Sequence, residues 1–290
     1  MIALETLVET PIARALGWTV FHSLWEGALA ALALTAIFLL VRSPRVRYAC
    51  ACLAMLALLA GFAITFFCVL PGAQADTRIA PFAIPPAPPD AGDLAVQAPR
   101  FTLADALPWL APFWIAGVII FHLRSVGGWI AARRLRTRGV CSARDPWPGR
   151  LDRLRASLRV SKPVALLETC LAEVPVVIGY LRPVILIPVG VLANLPAEQV
   201  EAILSHELAH IRRHDYLVNL LQTVVEGFLF YHPAVWWISR VIRAERENCC
   251  DDLVVAANGD AHAYAAALAA LEQTRGTEPQ AVLAASGGVL

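Results

Sequence analysis

Three apolar runs dominate the first half of the chain, at residues 16–41, 48–70 and 107–123. A helix needs about 20 apolar residues to cross the hydrocarbon core of a bilayer. We therefore predict a transmembrane helical hairpin over residues 1–70 and a third transmembrane helix over residues 107–130. Before the first run, Glu5 and Glu9 stand where a cleaved signal peptide has basic residues, which favours a retained anchor.

Charged residues between the apolar runs predict the orientation in the membrane. Two arginine groups flank the runs: Arg42, Arg45 and Arg47, and Arg133, Arg134, Arg136 and Arg138. Basic segments near membrane spans stay in the cytoplasm. We therefore place both groups in the cytoplasm and residues 71–106, which are rich in proline, outside it as an extended linker.

The second half of the chain contains short β-branched runs separated by polar segments. They predict an amphipathic helix over residues 150–159 and strands over residues 164–167, 174–178 and 184–187. Because only a short turn joins the last two strands, they are predicted to be neighbours in a small sheet. The edge of this sheet, at residues 184–187, is expected either to bind an extended peptide through its backbone or to form only core.

Composition excludes some classes of protein. Hydrophobic residues make up 58% of the chain and charged residues 16%, an apolar excess that suits contact with lipid. A net charge of +1 argues against direct nucleic-acid binding. The seven cysteines have no regular spacing, so no disulfide framework is expected.

Residues 206–210 carry the pattern H-E-x-x-H. On a helix, side chains four residues apart share one face, so His206 and His210 can reach one metal ion. Imidazole nitrogen is a preferred zinc ligand, and Glu207 is placed to act as general base toward a water beside the ion. The helix is predicted to begin near Pro196, since proline suits a first turn.

Two histidines leave a catalytic zinc one protein ligand short, and the best source is residues 245–252. Glu245 and Glu247 lie there on different helix faces. Cys249 and Cys250 are alternative zinc ligands, although packing is the favoured role for both. His214 is expected either to support the site or to pair with Asp215 at the end of the helix.

At these residues the chain resembles the BlaR/MecR family of membrane metallopeptidases, the antirepressor sensor-transducers of beta-lactam resistance. The resemblance covers most of the chain. It is carried by PVVIGYLRP at residues 175–183, HELAHIRRHDY at residues 206–216 and ENCCD at residues 247–251.

This resemblance implies the remaining parts of the site. In gluzincin-type sites the third zinc ligand is the glutamate of an E-x-x-x-D pattern, which here implies Glu247 as ligand and Asp251 as a residue that holds a ligand histidine. The chain is thus expected to be a mainly α membrane protein with a small β-sheet, in which residues 131–290 form a cytoplasmic, zincin-like zinc metallopeptidase domain.

The site constrains how residues 216–241 fold, although they are apolar enough to tempt a fourth span. A single crossing would place His210 and Glu247 about 30 Å apart on opposite membrane faces, where they could not share an ion. We therefore predict that this segment turns back at His232-Pro233 and lies against the membrane or dips into it. Asn219, Gln222 and Glu226 would form the polar face of its first half.

The leading expectation is a multi-pass zinc endopeptidase of a bacterial inner membrane that cleaves a cytoplasmic protein. The resemblance implies a transcriptional repressor, or the protein itself, as substrate, and a second copy of the chain as a further candidate partner. The alternatives are a signal transducer with little proteolytic activity and a membrane scaffold. The family's sensors carry an extracellular ligand-binding domain, so this chain is expected to be a short or truncated relative.

Overall fold

The computed structural model describes residues 6–70 and 102–276. Residues 71–101, most of the predicted linker, lie outside the described part. As predicted, the protein is mainly helical with one small sheet. The helices of six or more residues are α1 (Pro11–Leu40), α2 (Pro44–Val69), α3 (Leu110–Leu135), α4 (Trp147–Ser157), α5 (Val189–Asn194), α6 (Ala197–Arg213), α7 (Asp215–Phe228), α8 (Pro233–Asn258) and α9 (Ala261–Gly276). The strands are β1 (Val140–Ser142), β2 (Ala165–Thr169), β3 (Val176–Ile178) and β4 (Val184–Pro188).

Three segments in the described part are long and apolar enough to cross a membrane: α1, α2 and Leu107–Leu135, which contains α3. The first two helices begin before their apolar runs because Pro11 and Pro44 each occupy a first turn, where proline needs no backbone donor. The Thr10 hydroxyl also caps α1 by accepting from Ala13 N at 3.1 Å. α3 extends past the expected end at residue 130, so its last turn carries arginines beside the negative helix end.

The segment after the H-E-x-x-H helix turns back on itself, as the sequence predicts. α7 ends at Phe228 and α8 begins at Pro233. His232 caps α8, because its Nδ1 accepts from Ala234 N at 3.1 Å. The turn thus forms the tip of a helical hairpin.

This hairpin tip lies between the membrane helices. His232 Nε2 donates to Ser23 O at 2.8 Å, and Tyr231 Oη lies 2.7 Å from Ser23 Oγ. On the other side, Trp114 Nε1 of α3 donates to Phe228 O at 2.9 Å. Since Ser23 is near the middle of α1, the tip dips to about half the length of that span.

Polar side chains join the two arms of the hairpin. Gln222 Nε2 donates to Ser239 Oγ at 2.9 Å, and Ser239 Oγ in turn donates to Glu226. Arg243 forms an ion pair with Glu226 at 3.0 Å, and Arg246 donates to Gln222. Buried polar groups are costly unless they are paired, so this network fixes the position of α8 along α7.

The sheet has the strand order β1-β2-β4-β3. β3 and β4 are antiparallel neighbours, as predicted. The prediction that residues 184–187 form the sheet edge is wrong, because β2 pairs in parallel with the other side of β4. All five residues of β4 are buried, and such a continuous apolar run is typical of a central strand. β1 and β3 are the edge strands of the described sheet.

Helices cover both faces of the sheet. Leu166, Ile185 and Ile187 pack on one face in a cluster with Ile203 and Leu208 of α6. The other face contributes a second cluster: Ile178, Val184 and Leu186, with Leu135 from the end of α3 packed against it. The sheet therefore connects the H-E-x-x-H helix to the last membrane helix.

Gly27 provides a test of the hairpin's position. A Cβ at this residue would lie 2.0 Å from the imidazole of His232, which is buried and held at both ring nitrogens. We expect Gly27→Ala to destabilise the protein by about 1–3 kcal/mol, the usual cost of overpacking. Thermal unfolding in detergent micelles, followed by helical ellipticity, measures the effect.

Gly127→Ala is the matched control, because a Cβ at Gly127 of α3 has no atom within 4 Å. It should leave the melting temperature unchanged or raise it slightly, since alanine favours helix over glycine. Equal melting temperatures for the two variants would contradict the docked position of the tip.

Candidate metal centre

α6 carries the two histidines of the motif. Pro196 precedes its first residue, and the helix ends at Arg213, because the next residue, His214, has a φ of 60° that breaks the helical path. One face is buried against the sheet through Ile203, Leu204 and Leu208. The opposite face presents the side chains of the motif, which are half-buried.

Three metal-binding atoms converge beside this helix. The Nε2 atoms of His206 and His210 lie 3.2 Å apart. Glu247 Oε2, from α8, lies 3.3 Å from the first and 3.5 Å from the second. The structure thus brings together the two histidines and the downstream glutamate that the sequence singled out.

The other ring nitrogen of each histidine contacts an acidic partner. His206 Nδ1 lies 2.7 Å from Tyr264 Oη and 3.2 Å from Asp251 Oδ1. Tyr264 donates its own proton to Asp251 at 2.6 Å. His210 Nδ1 lies 2.8 Å from Asp215 Oδ2. These contacts fix the planes of both imidazoles.

The pairing determines which atoms face one another. A carboxylate only accepts hydrogen bonds, so His210 Nδ1 carries a proton, and the Asp251–Tyr264 pair favours the same form for His206. In the neutral rings both Nε2 atoms then point lone pairs at the Glu247 carboxylate. Three acceptors within 3.5 Å repel one another unless a positive charge lies between them. The donor set therefore fits a cation, and imidazole with carboxylate suits zinc.

The pKa values express the same demand for positive charge. Burial lowers the pKa of His206, but hydrogen bonds to Asp251 and Glu247 outweigh it and raise the pKa to about 9. Burial also lowers the pKa of His210, but the hydrogen bond to the Asp215 carboxylate outweighs it and raises the pKa to about 12. Burial raises the pKa of Glu247, but its hydrogen bonds to both histidines outweigh this and hold the pKa well below the usual range.

Glu207 lies on the same turn of α6 as the first histidine. Burial raises the pKa of its carboxyl above the ordinary glutamate value, and the nearby charges of His210 and His206 act in the opposite direction. A carboxylate with a raised pKa is a better proton acceptor than an ordinary one.

Glu245 lies in a different environment from Glu247. Its buried carboxylate forms an ion pair with the partly exposed Arg47 of α2 at 3.1 Å and accepts from Asn248 at 3.2 Å. Two residues correspond to about 200° around a helix, so only one of these glutamates can face α6. The role of Glu245 in this structure is to join α8 to the start of the second membrane helix.

The cysteines and His214 also differ from direct zinc ligands in their contacts. Cys249 and Cys250 are both buried. Cys250 Sγ lies 3.3 Å from His210 Nδ1 and 3.4 Å from Asp215 Oδ2, so these three residues form a second group of closely spaced donor atoms. His210 Nδ1 carries the proton that faces Asp215, and burial raises the pKa of the Cys250 thiol to about 11, so this second group suits a metal less well than the first. Of the two roles left open for His214, the pair with Asp215 is not formed, since Asp215 contacts His210 and His214 Nδ1 lies 3.4 Å from Lys162 Nζ.

Asp215 and Tyr264 are the partners that sequence reasoning missed. Asp215 is five residues after His210, and its approach depends on the left-handed backbone of His214, which no spacing rule reveals. Tyr264 lies in an alanine-rich helix and reaches His206 only because α9 packs beside α6.

Together, this fold and site define a membrane protein with an H-E-x-x-H metallopeptidase arrangement. Residues 18–287 match the model of the family described as BlaR1 peptidase M56. The chain therefore belongs to the M56 peptidases, a family of metallopeptidases.

Individual relatives match shorter stretches. The regulatory protein BlaR1 of Bacillus licheniformis is 29% identical over 101 residues, which are 35% of this chain and 17% of that protein. The methicillin resistance mecR1 protein of Staphylococcus aureus is 29% identical over 77 residues, 27% of this chain and 13% of that protein. A protease HtpX homolog of Bacillus licheniformis is 37% identical over 67 residues, 22% of this chain and 23% of that protein. The chain spans less than a quarter of the length of each relative.

Asp215 offers a test of the geometry that needs no metal. Its buried carboxylate faces His210 at 2.8 Å and Arg213 at 3.4 Å. We expect Asp215→Asn to lower the free energy of unfolding by about 3–5 kcal/mol, because it leaves buried charges unpaired. Chemical denaturation in the presence of a chelator measures this.

Asp252→Asn is the control, because it removes an exposed carboxylate from α8 and should lower the free energy of unfolding by no more than about 0.5 kcal/mol. Similar losses in both variants would contradict the buried pairing.

Proposed function

We propose that the protein is a membrane-embedded zinc endopeptidase of the antirepressor, signal-transducing type. The observation that carries this proposal is the convergence of His206 Nε2, His210 Nε2 and Glu247 Oε2 on the helix turn that also bears Glu207. Membership of the M56 peptidases supports it.

The three converging residues would hold the ion as two nitrogen ligands and one oxygen ligand, with a position left for water. When bound, zinc supplies Lewis acidity that polarises a peptide carbonyl and makes water a better nucleophile at neutral pH. Asp215, Asp251 and Tyr264 hold the imidazoles in place through the opposite ring nitrogens.

Glu207 acts as the general base. Its carboxylate accepts a proton from the water that attacks the carbonyl carbon and then transfers that proton to the leaving amide nitrogen. The raised pKa of Glu207 suits both halves of this cycle, because the group must bind the proton and also release it.

The substrate would bind as an extended segment along β3. This strand has an unpaired edge in the described sheet and lies near α6, whereas β4 is enclosed between two strands. Backbone hydrogen bonds from a strand edge hold a peptide extended without reading most of its side chains, which suits cleavage within a protein.

The orientation follows from the arginines. Arg42, Arg45 and Arg47 at the α1–α2 link and the cluster at the end of α3 would place the site at the cytoplasmic face, with residues 131–290 as the catalytic domain. The substrate would then be a cytoplasmic regulator, such as a transcriptional repressor, or the protein itself.

A second candidate function is signal transduction with little proteolysis. The continuous helix α8 favours it, because this helix runs from the hairpin tip at His232 to Glu247 at the metal centre. A shift of α1 against the tip would therefore move Glu247 relative to α6. Measured activity separates this candidate from the first.

Zinc content tests the ligand set. The protein purified in detergent should contain about one zinc per chain by elemental analysis, the content of a mononuclear catalytic site. Glu247→Gln should lose most of it, because the amide is a much poorer ligand, and Glu245→Gln should keep it. Absence of zinc after metal supplementation would overturn the proposal of a zinc peptidase and favour a signal transducer or a membrane scaffold. Loss in Glu245→Gln alone would reverse the ligand assignment.

Activity tests Glu207. With β-casein as an extended probe substrate, and with self-cleavage followed in parallel, Glu207→Gln should reduce the rate by about 10²–10⁴-fold, the usual contribution of general base catalysis. Its zinc content should equal that of the parent, which separates loss of the base from loss of the ion. Unchanged cleavage would contradict the role of Glu207, and a zinc-loaded parent without any cleavage would favour the transducer.

A further inference from the structure

A basic cavity lies where the last membrane helix meets the sheet. It has a volume of about 380 Å³ and is lined by Arg133, Arg136, Thr137, Leu167 and Val184. Arg133 lies in the last turn of α3, Arg136 and Thr137 directly follow that helix, and the last two residues belong to the central strands β2 and β4. This cavity is distinct from the metal centre, since it opens on the side of the sheet away from α6.

The two arginines of this cavity are held in place. The Arg133 guanidinium stacks over the Trp129 ring at 4.2 Å. Arg136 donates to Arg182 O at 3.5 Å, in the turn between β3 and β4. A Cβ at Gly179, whose φ is 97°, would lie 3.1 Å from Arg136 Nη1, so this glycine leaves room for the guanidinium.

Neither arginine has an acidic partner in the part of the chain that the structure describes. Within residues 6–70 and 102–276, no carboxylate lies within 4.0 Å of Arg133 or Arg136, although arginines on α2, α4, α6 and α8 form ion pairs. Two positioned guanidiniums without a counter-charge favour a bound anion, and their planar donors match the oxygens of a phosphate.

The surroundings of the cavity select the kind of phosphate. Leu167 and Val184 give it an apolar floor. Trp129 and Ile130 are exposed on the adjoining turn of α3, where a span ends in an interfacial aromatic residue and basic side chains. A ligand with a charged head and an apolar body fits both parts, whereas free inorganic phosphate uses only the arginines.

We infer that this cavity binds the phosphate of an anionic phospholipid headgroup, with Arg133 and Arg136 as the recognising residues. Basic pockets at the cytoplasmic ends of membrane helices are suited to such headgroups. The inference rests on the proposed orientation of α3 and is independent of peptidase activity. Because Arg136 also contacts the β3–β4 turn, the bound headgroup would anchor the edge strand β3 to the membrane surface.

Lipid retention tests this inference. The full chain is purified in a neutral detergent, supplied with phosphatidylglycerol or phosphatidylcholine, and analysed by native mass spectrometry. The parent should retain phosphatidylglycerol in preference to phosphatidylcholine. Arg133→Gln/Arg136→Gln should retain at least about tenfold less phosphatidylglycerol, a factor that loss of one charge-assisted hydrogen bond can produce.

Arg134→Gln/Arg138→Gln is the matched control, because it removes the same charge from exposed residues of the same segment that do not line the cavity. It should retain phosphatidylglycerol like the parent. If both double variants lost phosphatidylglycerol equally, general electrostatic attraction would explain its retention, and the proposed site would be overturned. Retention at parental level in both would also overturn it.

Two further arms keep the outcome clear. Thr137→Glu, at an exposed position in the lining, places a negative charge beside the arginines and should abolish retention even if the glutamine pair does not fold. Retention by a folded Thr137→Glu protein would overturn the site.

Calorimetric titration with inorganic phosphate identifies the source of the anion. Binding of phosphate without retention of phosphatidylglycerol would overturn the lipid assignment.

Discussion

The rest of the structure depends on the meeting of Glu247 with the two histidines of α6. The donor atoms lie within 3.5 Å of one another although α7, the hairpin tip and half of α8 separate them along the chain. That separation includes enough apolar residues to cross a bilayer, and a crossing would move the donors about 30 Å apart. The candidate metal centre therefore depends on the hairpin tip as much as on the three converging side chains.

Polar contacts specify this reversal more than apolar ones do. Apolar side chains pack almost equally well against lipid and against protein, so they give α7 and α8 little reason to turn back. The buried network from Gln222 to Arg246 is satisfied only when the two arms lie side by side. At the tip, the acceptor of the His232 Nε2 proton is Ser23 O on α1. An unsatisfied buried group costs several kcal/mol in such surroundings, about the scale of a domain's whole stability.

Helices could be predicted from the sequence where an apolar run is long enough to span a membrane or where functional residues recur at helical spacing. The three spans and the helix of the motif follow from local features, whereas the reversal at His232-Pro233 follows from the requirement that His210 and Glu247 share one ion. The edge strand could not be identified in this way. Residues 184–187 have the same appearance whether one partner strand or two adjoin them, and the parallel pairing with β2 requires a crossover that begins far away in the chain. The one local sign of the central position of β4 is that all five of its residues are buried.

For the site, the sequence by itself determined the residues whose relation is local: His206 and His210 share a helix face because four residues make about one turn, and Glu207 lies beside them for the same reason. The choice between Glu245 and Glu247 needed a family resemblance, since both lie on the same helix. Only the tertiary structure decided that Glu245 faces Arg47, that Asp215 turns back to His210, and that Tyr264 reaches His206. These contacts join separate helices or cross a backbone break, and their geometry depends on how the helices pack, which no spacing along the chain encodes.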